Sequence, residues 1–525
     1  MKNNFNEDYQ YNSCTSRGIC SINPKTSSLQ EILILYLKQT AYYINKLGNE
    51  GLENSNVRTL VLDTISVMVS NVSFSENDFK TITQKFNKIL PKIIKEYEEY
   101  CINKRIEPEY LKSPLKFNKT TDLVKSIQLG EKEFIKTLQS IPEEIRNMYK
   151  LLFIITKSIC TNVQDLETYG VCANEGYATI INILNSANSD SKNTDKLKQL
   201  MDETVITNYN LMLKLRNVQI ERYGKQKTTS VSYSTTPGKA ILVVGSNIRE
   251  LETILEATKD SNIDIYTHDE MIVAHTFPLF EKYKNLKGQF GKGIENCLLD
   301  FATFPGPIIL TRHSLYNVEN LYRGRLFTTD FTETKGIIQI KNNDFSEVIK
   351  SAIESKGFKN GKKCDSEKIG FDCEKITKEI KSKLEGNHYK QIFIIGHCGY
   401  RQEQQNYIEK LLSKTPENIL IILLSTYSKK ENIICLNACF DNLATTLITE
   451  KISKLTDLPL TIFFPTCNRH TISKMIYFTS ENVAKVYVGE CTPILINPNL
   501  MSTLKKIYGI EEISTVKNDL SKIIN

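Results

Sequence analysis

The amino-acid sequence predicts a multidomain protein, with an N-terminal helical bundle followed by two α/β domains that each contain a parallel sheet. Amphipathic stretches with the helical period fill roughly the first 220 residues. Two later stretches, Lys239–Gly245 (KAILVVG) and Gln391–Gly396 (QIFIIG), are apolar runs that end in glycine, which is typical of the first strand of a βαβ unit. The 525 residues also exceed the size at which one hydrophobic core stops growing, about 250–300 residues, so we expect several domains.

The predicted helical domain covers residues 1–230. From Ser27 to Gly48 apolar residues recur three and four apart, and Ser28 with Glu31 has the spacing of a capping box. The same amphipathic period recurs in three further stretches, Asp78–Tyr97, Lys132–Ile155 and Lys196–Val218. This repetition predicts helices packed on one another through their apolar faces.

The predicted α/β domains cover residues 238–385 and 386–525. In both, a first strand is followed by a helix and another strand, which predicts parallel pairing. The predicted elements after the two first strands are a helix at Ile248–Thr258, a strand at Asn262–Tyr266, a helix at Gln402–Lys414, and strands at Asn418–Leu424 and Leu458–Phe464. The similar starts of the two domains suggest similar architectures.

Composition and charge favour a globular protein in a reducing compartment. Lysines alternate with Glu and Asp, so the net charge of +7 indicates a solvated surface rather than a nucleic-acid partner. No run of about 18 apolar residues occurs, so we expect no membrane partner. The 13 dispersed cysteines and the polar N-terminus argue against export, and we expect a cytoplasmic location.

Candidate functional residues cluster where the predicted strands end. Ligands of open parallel sheets bind beyond the carboxyl ends of the strands. The residues at these ends are Ser246, His268 with Glu270, His313 with Ser314, His397 with Cys398, Tyr427, Cys439, Cys467 and His470. Thiolates, imidazoles and a carboxylate suit iron, zinc or copper, so the sequence suggests a metal site between the two α/β domains. Packing cysteines and locally hydrogen-bonded histidines are the open alternative.

Cys14 and Cys20 form a second candidate site. Two thiolates are too few for a cubane iron–sulfur cluster, which takes four cysteines. Two chains could share one cluster across a dimer axis, or the pair could be without function. The first strands lack a phosphate-binding glycine motif, and the chain lacks the nucleophile elbow of hydrolases, so nucleotide binding and hydrolysis are disfavoured.

Several stretches resemble the hybrid cluster protein (prismane) family, whose members are hydroxylamine reductases. They include TTPGKAILVVGSNIRELETIL, IDIYTHDEMIVAHTFPLFEKY, FPGPIILTRHSLYN, IFIIGHCGYRQEQQNY, CLNACFDN and VYVGECTPILINPNL. The resemblance implies a helical domain followed by two Rossmann-like parallel-sheet domains. It also implies a cubane cluster, a hybrid iron–sulfur–oxygen cluster, and reduction of hydroxylamine to ammonia or nitric oxide reduction with an external electron donor.

Three residues match the hybrid-cluster ligands of that family. Glu270 stands at a glutamate ligand, Cys398 at the cysteine that bears a persulfide, and Cys439 at another cluster cysteine. Cys14 and Cys20 match the last two cubane cysteines, whereas the preceding pair is missing. The resemblance therefore supports only part of each cluster.

The other ligand positions carry different residues. Ser246 replaces a histidine, Ser314 replaces a cysteine, and Tyr427 or a neighbouring residue replaces another cysteine. Asn468 replaces the second glutamate, and His470 replaces a lysine near the cluster. Each loss of a deprotonated ligand lowers the affinity for the metal. Nearby residues could substitute as ligands, above all His313 and Cys467.

Two functions follow from this pattern. The first is a divergent hydroxylamine reductase-like oxidoreductase with a remodelled iron–sulfur or simpler metal centre. Cys398 would be the redox-active thiol, Glu270 the oxygen ligand and His470 the proton donor. The partners would be a small nitrogenous substrate and an electron donor. The chain would be a monomer or a homodimer. The alternative is a non-catalytic relative that has lost its clusters and acts as a scaffold or interaction protein.

Overall fold

The computed structural model describes residues 24–69, 74–111, 122–188, 193–291, 296–314, 318–396, 402–425, 430–467, 470–490 and 498–524. The chain divides into two compact units. The first unit contains the residues up to Leu211 together with residues 315–318 and 330–339, and the second contains the remainder. No helix of the described ranges combines the length and the apolar character that a membrane span requires.

The first unit is helical, as predicted. Its long first helix, α1, buries Leu33, Leu37, Ala41 and Ile44, and this three-and-four spacing forms one apolar stripe. The helix begins at Pro24, so the predicted capping box at Ser28 lies inside it and is wrong. The helices of the N-terminal region are α1 (Pro24–Leu47), α2 (Asn49–Glu53), α3 (Ser55–Val67), α4 (Glu76–Lys104), α5 (Leu123–Ser140), α6 (Glu143–Thr168), α7 (Asn174–Ser186) and α8 (Thr194–Tyr223).

A six-stranded parallel sheet follows α8. Its central strand β2 buries every residue after Lys239, as expected for a strand covered on both faces. The strands are β2 (Lys239–Val244), β3 (Ile263–His268), β4 (Leu286–Gln289), β5 (Ile308–Leu310), β6 (Leu326–Thr328) and β7 (Ile337–Gln339), in the order β4-β3-β2-β5-β6-β7. The helices of this region are α9 (Ile248–Thr258), α10 (Cys297–Thr303) and α11 (Ser346–Glu354). Short strands β1 (Thr229–Ser232) and β8 (Ser366–Ile369) pair antiparallel beside it.

The second six-stranded sheet repeats this order. Its strands are β9 (Gln391–Ile395), β10 (Ile419–Leu423), β11 (Ile433–Cys435), β12 (Leu460–Thr466), β13 (Lys485–Glu490) and β14 (Glu511–Glu512), in the order β11-β10-β9-β12-β13-β14. The helices are α12 (Cys373–Gly386), α13 (Gln402–Lys414), α14 (Ala444–Ser453), α15 (Thr471–Ser480), α16 (Pro498–Tyr508) and α17 (Val516–Ile524). The predicted fold class is therefore confirmed, while the boundaries at residues 230, 238 and 386 stay predictions.

The strand order determines where a ligand would bind. Counted along the chain, the strands of each sheet follow the order 3-2-1-4-5-6, the doubly wound arrangement of Rossmann-like folds. Strands 2 and 3 are added on one side of the first strand, and strands 4 to 6 on its other side. The loops after the first and fourth strands therefore diverge and leave a crevice between these two strands. These crevices lie between β2 and β5 in one sheet and between β9 and β12 in the other.

Candidate functional site

Glu270 occupies a fixed position just beyond the first sheet. Strand β3 ends at His268, and Asp269 then adopts a φ of 60°, a left-handed conformation that turns the chain into a 3₁₀ helix at Asp269–Thr276. The Glu270 carboxylate oxygen Oε2 accepts a hydrogen bond of 2.9 Å from the side-chain amide of Asn442. Glu270 thus meets the loop that follows β11 in the second sheet.

His268 is used structurally. It is fully buried, its Nε2 lies 3.0 Å from Oδ2 of Asp300, and its ring packs edge-on against Phe301 at 5.4 Å between centroids. Both contacts come from α10, so they fasten this helix to the end of β3. A locally hydrogen-bonded histidine accounts for this position.

The loop after β11 contains Cys439 and Asn442. The chain enters it through Asn437, which has a φ of 53°, and the backbone N–H of Ala438 donates to Leu424 at 2.7 Å. Asp441, between Cys439 and Asn442, is buried and forms a two-pronged ion pair with Arg216 of α8. Because Arg216 and Asp441 are 225 positions apart, the loop is held by a distant part of the chain.

Lys474 is the main site residue that sequence reasoning missed. It lies on α15, is only 6% exposed, and its ammonium donates to the carbonyl oxygen of Asn442 at 2.7 Å. Burial lowers the pKa of Lys474 to about 8, although the negative charges of Glu270 and Asp441 oppose this shift. One asparagine therefore binds a carboxylate through its side chain and an ammonium through its backbone.

His470, the predicted proton donor, immediately precedes α15. It is buried, and its carbonyl oxygen accepts the backbone N–H of Lys474 at 3.1 Å, one helical turn further on. A signal for Lys474 exists in the sequence: it is a lone lysine among residues that are all buried, Thr471–Ile476. A lysine in such a stretch is unusual and calls for a specific partner.

Ser314 is buried and hydrogen-bonded at the crevice of the first sheet. Its hydroxyl lies 2.6 Å from the carbonyl oxygen of Thr311 and 3.1 Å from that of Val244. Gly245 has a φ of 117°, and a Cβ at this position would collide with the hydroxyls of both Ser314 and Thr311. The position that would carry a cysteine ligand therefore closes a turn instead.

His313 directly precedes Ser314 in the chain, and Ser246 directly follows Gly245. His313 is 3% exposed and has a φ of 64°, a conformation that is uncommon for a residue other than glycine or asparagine. Ser246 is partly buried after β2. The structure thus places both residues at the first-sheet edge, and the role of His313 as a substitute ligand stays a prediction.

The cysteines at the second-sheet edge differ from the other described cysteines. Cys439 and Cys467, which directly follows β12, are both disulfide-bonded. The seven other cysteines of the described ranges are free thiols. Both cysteines belong to segments that leave the carboxyl ends of strands in this sheet.

Several predicted site residues lie outside the described residues. They are Cys14, Cys20, His397, Cys398, Tyr427 and Asn468. The assignments of Glu270, Cys398 and Cys439 as metal ligands, of Cys467 as a substitute ligand, and of Cys14 and Cys20 as cluster cysteines stay predictions.

The described residues do not fit the hybrid cluster that the resemblance implies. Ser246 and Ser314 stand at two ligand positions, and the Ser314 hydroxyl is committed to backbone carbonyl oxygens. Within the described ranges, no three His, Cys, Asp or Glu side chains form a group that could hold a metal ion. The described residues bring together a carboxylate, Glu270, and an ammonium, Lys474, through their contacts with Asn442.

Comparisons with known proteins agree with the sequence resemblance. The sequence model of the Prismane/CO dehydrogenase family matches residues 9–426. A hydroxylamine reductase of Acidiphilium cryptum is 24% identical over 532 residues, which cover 96% of this chain and 94% of that protein. A hydroxylamine reductase of Thermodesulfovibrio yellowstonii is also 24% identical, over 543 residues that cover 98% of both chains.

A solved structure has a similar fold. Carbon monoxide dehydrogenase IV from Carboxydothermus hydrogenoformans superposes with a TM-score of 0.50 at 9% sequence identity, covering 98% of this chain and 92% of that chain. At this identity the likeness concerns the fold alone. It agrees with a helical region followed by two doubly wound sheets.

Proposed function

Because the chain belongs to the Prismane/CO dehydrogenase family, we propose that it is an oxidoreductase of the hydroxylamine reductase type. Its substrate would be a small nitrogenous molecule with an N–O bond, of which hydroxylamine is the simplest. Cleavage of this bond to ammonia and water consumes two electrons and two protons. The site must therefore deliver protons as well as electrons.

The observation that carries the proposal is the junction at Asn442. It holds the Glu270 carboxylate and the Lys474 ammonium beside the carboxyl edges of the two sheets. Lysines are rarely buried, because burial of the charge destabilises the folded state. Titratable groups with strongly shifted pKa values cluster at functional sites, so a buried Lys474 favours a functional role. With a pKa of about 8, the Lys474 ammonium can release a proton near neutral pH.

Cysteine sulfur is the electron-carrying chemistry that the described residues support. Cys439 and Cys467 are both disulfide-bonded, and reduction of one disulfide takes two electrons and two protons, the numbers that N–O cleavage requires. Cys398, the predicted redox-active thiol, follows β9 in sequence. An external electron donor would reduce these sulfurs, and no step is assigned to the hybrid cluster.

A non-catalytic relative is the second candidate. The closed turn at Gly245 and Ser314 favours it, because a hydroxyl that is tied to two carbonyl oxygens has taken the place of a ligand. In that case the family fold would serve as a scaffold or interaction surface. The two candidates differ in whether the Asn442 junction has a chemical task.

Ammonia formation from hydroxylamine tests the proposal. The protein is purified without oxygen from a cytoplasmic extract, assayed with reduced methyl viologen, and analysed for iron and sulfide in parallel. We expect turnover that Lys474→Met lowers about 100-fold, within the range for loss of a general acid, and that Lys410→Met, at an exposed position of α13, leaves unchanged. If the protein released ammonia no faster than a protein-free control, both before and after iron–sulfide reconstitution, this result would favour the non-catalytic scaffold.

A further inference from the structure

We propose that Arg216 is a positioning residue for the proposed site, because it fixes the two segments that contain Asn442 and Glu270 relative to each other. The inference rests on the proposed function only for its kinetic readout. Arg216 lies near the end of α8, far from both segments in sequence. Arg216 is 9% exposed, and both terminal nitrogens of its guanidinium bind internal partners.

The first connection runs from Arg216 to the loop of Cys439 and Asn442. Its Nη2 lies 2.6 Å from Oδ1 of Asp441 and its Nη1 lies 3.0 Å from Oδ2, a planar two-point contact that fixes orientation as well as distance. Both carboxylate oxygens of Asp441 are therefore held in place by Arg216.

Asp441 passes this constraint to its neighbours. Its Oδ1 also accepts the backbone N–H of Leu443 at 3.0 Å, and its own N–H donates to the carbonyl oxygen of Ala438 at 3.1 Å. Cys439 and Asn442 lie inside the segment that these bonds close. A shift of Asp441 would move the amide that binds Glu270 and the carbonyl oxygen that binds Lys474.

The second connection runs from Arg216 to the segment of Glu270. Nη1 of Arg216 also donates to the side-chain oxygen of Gln226, and Gln226 Nε2 donates to the Thr276 hydroxyl at 2.9 Å. Thr276 ends the 3₁₀ helix that begins with Asp269 and Glu270. Arg216 thus reaches one site segment through Asp441 and the other through Gln226.

The same helix provides a matched control. Arg222 makes an equally two-pronged pair with the buried Glu252 of α9, at 2.7 Å and 2.9 Å. Among the described residues, this pair forms no hydrogen bond with the Asn442 loop or with the 3₁₀ helix of Glu270. Replacement of either arginine by lysine keeps the charge and removes the fork that binds both carboxylate oxygens. The Arg222 side chain is 42% exposed and that of Arg216 10%, so a purely structural role predicts a larger loss of stability in Arg216→Lys but no fall in kcat of the folded protein.

The experiment compares Arg216→Lys with Arg222→Lys in the full chain. Misplacement of catalytic groups by about 1 Å can cost about 100-fold in rate, so we expect Arg216→Lys to lower kcat for hydroxylamine by 10-fold to about 100-fold with little change in KM. We expect Arg222→Lys to keep the wild-type kcat. Equal kinetic losses in the two variants would overturn the inference.

A second readout does not depend on activity. After reduction of the disulfides, alkylation of Cys439 by iodoacetamide is followed by peptide mass mapping. We expect several-fold faster alkylation in Arg216→Lys than in wild type or Arg222→Lys, and unchanged rates in all three would contradict the inference even if the enzyme is active. If the wild type shows no hydroxylamine turnover, the proposed function fails while this comparison still decides the positioning role.

A milder variant covers the case in which Arg216→Lys does not fold. Gln226→Leu keeps the two-point Arg216–Asp441 pair, and removes the hydrogen bonds of the Gln226 side chain to Arg216, Asp441 and Thr276. We expect a smaller fall in kcat than for Arg216→Lys, with Cys439 alkylation as in wild type because its loop stays pinned. A wild-type kcat in this variant would remove the Gln226 branch from the inference.

Discussion

The ammonium group of Lys474 lies 2.7 Å from the carbonyl oxygen of Asn442, inside a helix turn whose other side chains are also buried. This hydrogen bond compensates for only part of the hydration that the ammonium loses on folding. The Asn442 amide binds Glu270 at the same time, so a backbone oxygen and a nearby carboxylate together stabilise the charge. This arrangement has consequences for stability as well as for activity.

We expect Lys474→Met to stabilise the protein while it lowers turnover about 100-fold. A pKa lowered from 10.5 to about 8 corresponds to about 3 kcal/mol of cost for the charged lysine in the folded state. Methionine avoids this cost but leaves the Asn442 carbonyl oxygen without its donor, so the expected gain at pH 7 is about 1–3 kcal/mol. Urea unfolding measures it, with Lys410→Met as the surface control; a loss of stability would show that the ammonium is a net structural contact.

The same pKa predicts the pH dependence of stability. Between about pH 8 and 10.5 the unfolded chain holds a proton on Lys474 that the folded chain has released, so this residue makes the folded state more stable as the pH rises. Below about pH 8 both states are protonated and the full cost is present. The difference in unfolding free energy between wild type and Lys474→Met should therefore shrink from pH 8 to 10.5, and a constant difference would contradict the assignment.

Glu270→Gln should move the pH profile of turnover to lower pH. The Glu270 charge raises the pKa of Lys474 against the effect of burial, and Asp441 acts in the same direction. Glutamine keeps an oxygen for the Asn442 amide but removes the charge. If Lys474 donates a proton, kcat falls above about pH 8 in wild type, and this fall should begin at lower pH in Glu270→Gln. Glu281→Gln should leave it unchanged, because Glu281 pairs with Lys227 and is not among the charges that raise the pKa of Lys474.

The sequence predicted the regular elements better than the site. Val244 ends a strand because a β-branched run meets a glycine, and the sequence was sufficient to see this. Arg216 and Asp441, however, are 225 positions apart, and nothing in one sequence pairs them. Lys474 stands out in the sequence as the lone charged residue of 471–478, but its burial and its partners depend on how α15 packs against the loop of Asn442.

His275 should make the fold sensitive to acid. Burial lowers the pKa of His275 to about 4, and its Nε2 lies 3.0 Å from the Thr267 hydroxyl. Between about pH 6.5 and 4 the unfolded chain binds a proton that the folded chain does not, so stability falls on acidification, by at most about 3 kcal/mol for this residue. His275→Gln should lose less stability over this range than His388→Gln, which keeps His275 and changes an exposed histidine.

Ser314→Cys should fail to restore a metal ligand, because the Ser314 side chain is enclosed. The hydroxyl fits between the carbonyl oxygens of Thr311 and Val244 against Gly245, and a larger sulfur there forms weaker hydrogen bonds and presses on the turn. We expect a loss of about 1–3 kcal/mol in unfolding free energy and no gain in bound iron after reconstitution. Ser453→Cys is the matched control, since its hydroxyl also donates three residues back, to Glu450 at 3.0 Å, but on an exposed helix end. A stable Ser314→Cys protein that binds more iron than wild type and Ser453→Cys would show that the crevice can still open to a ligand.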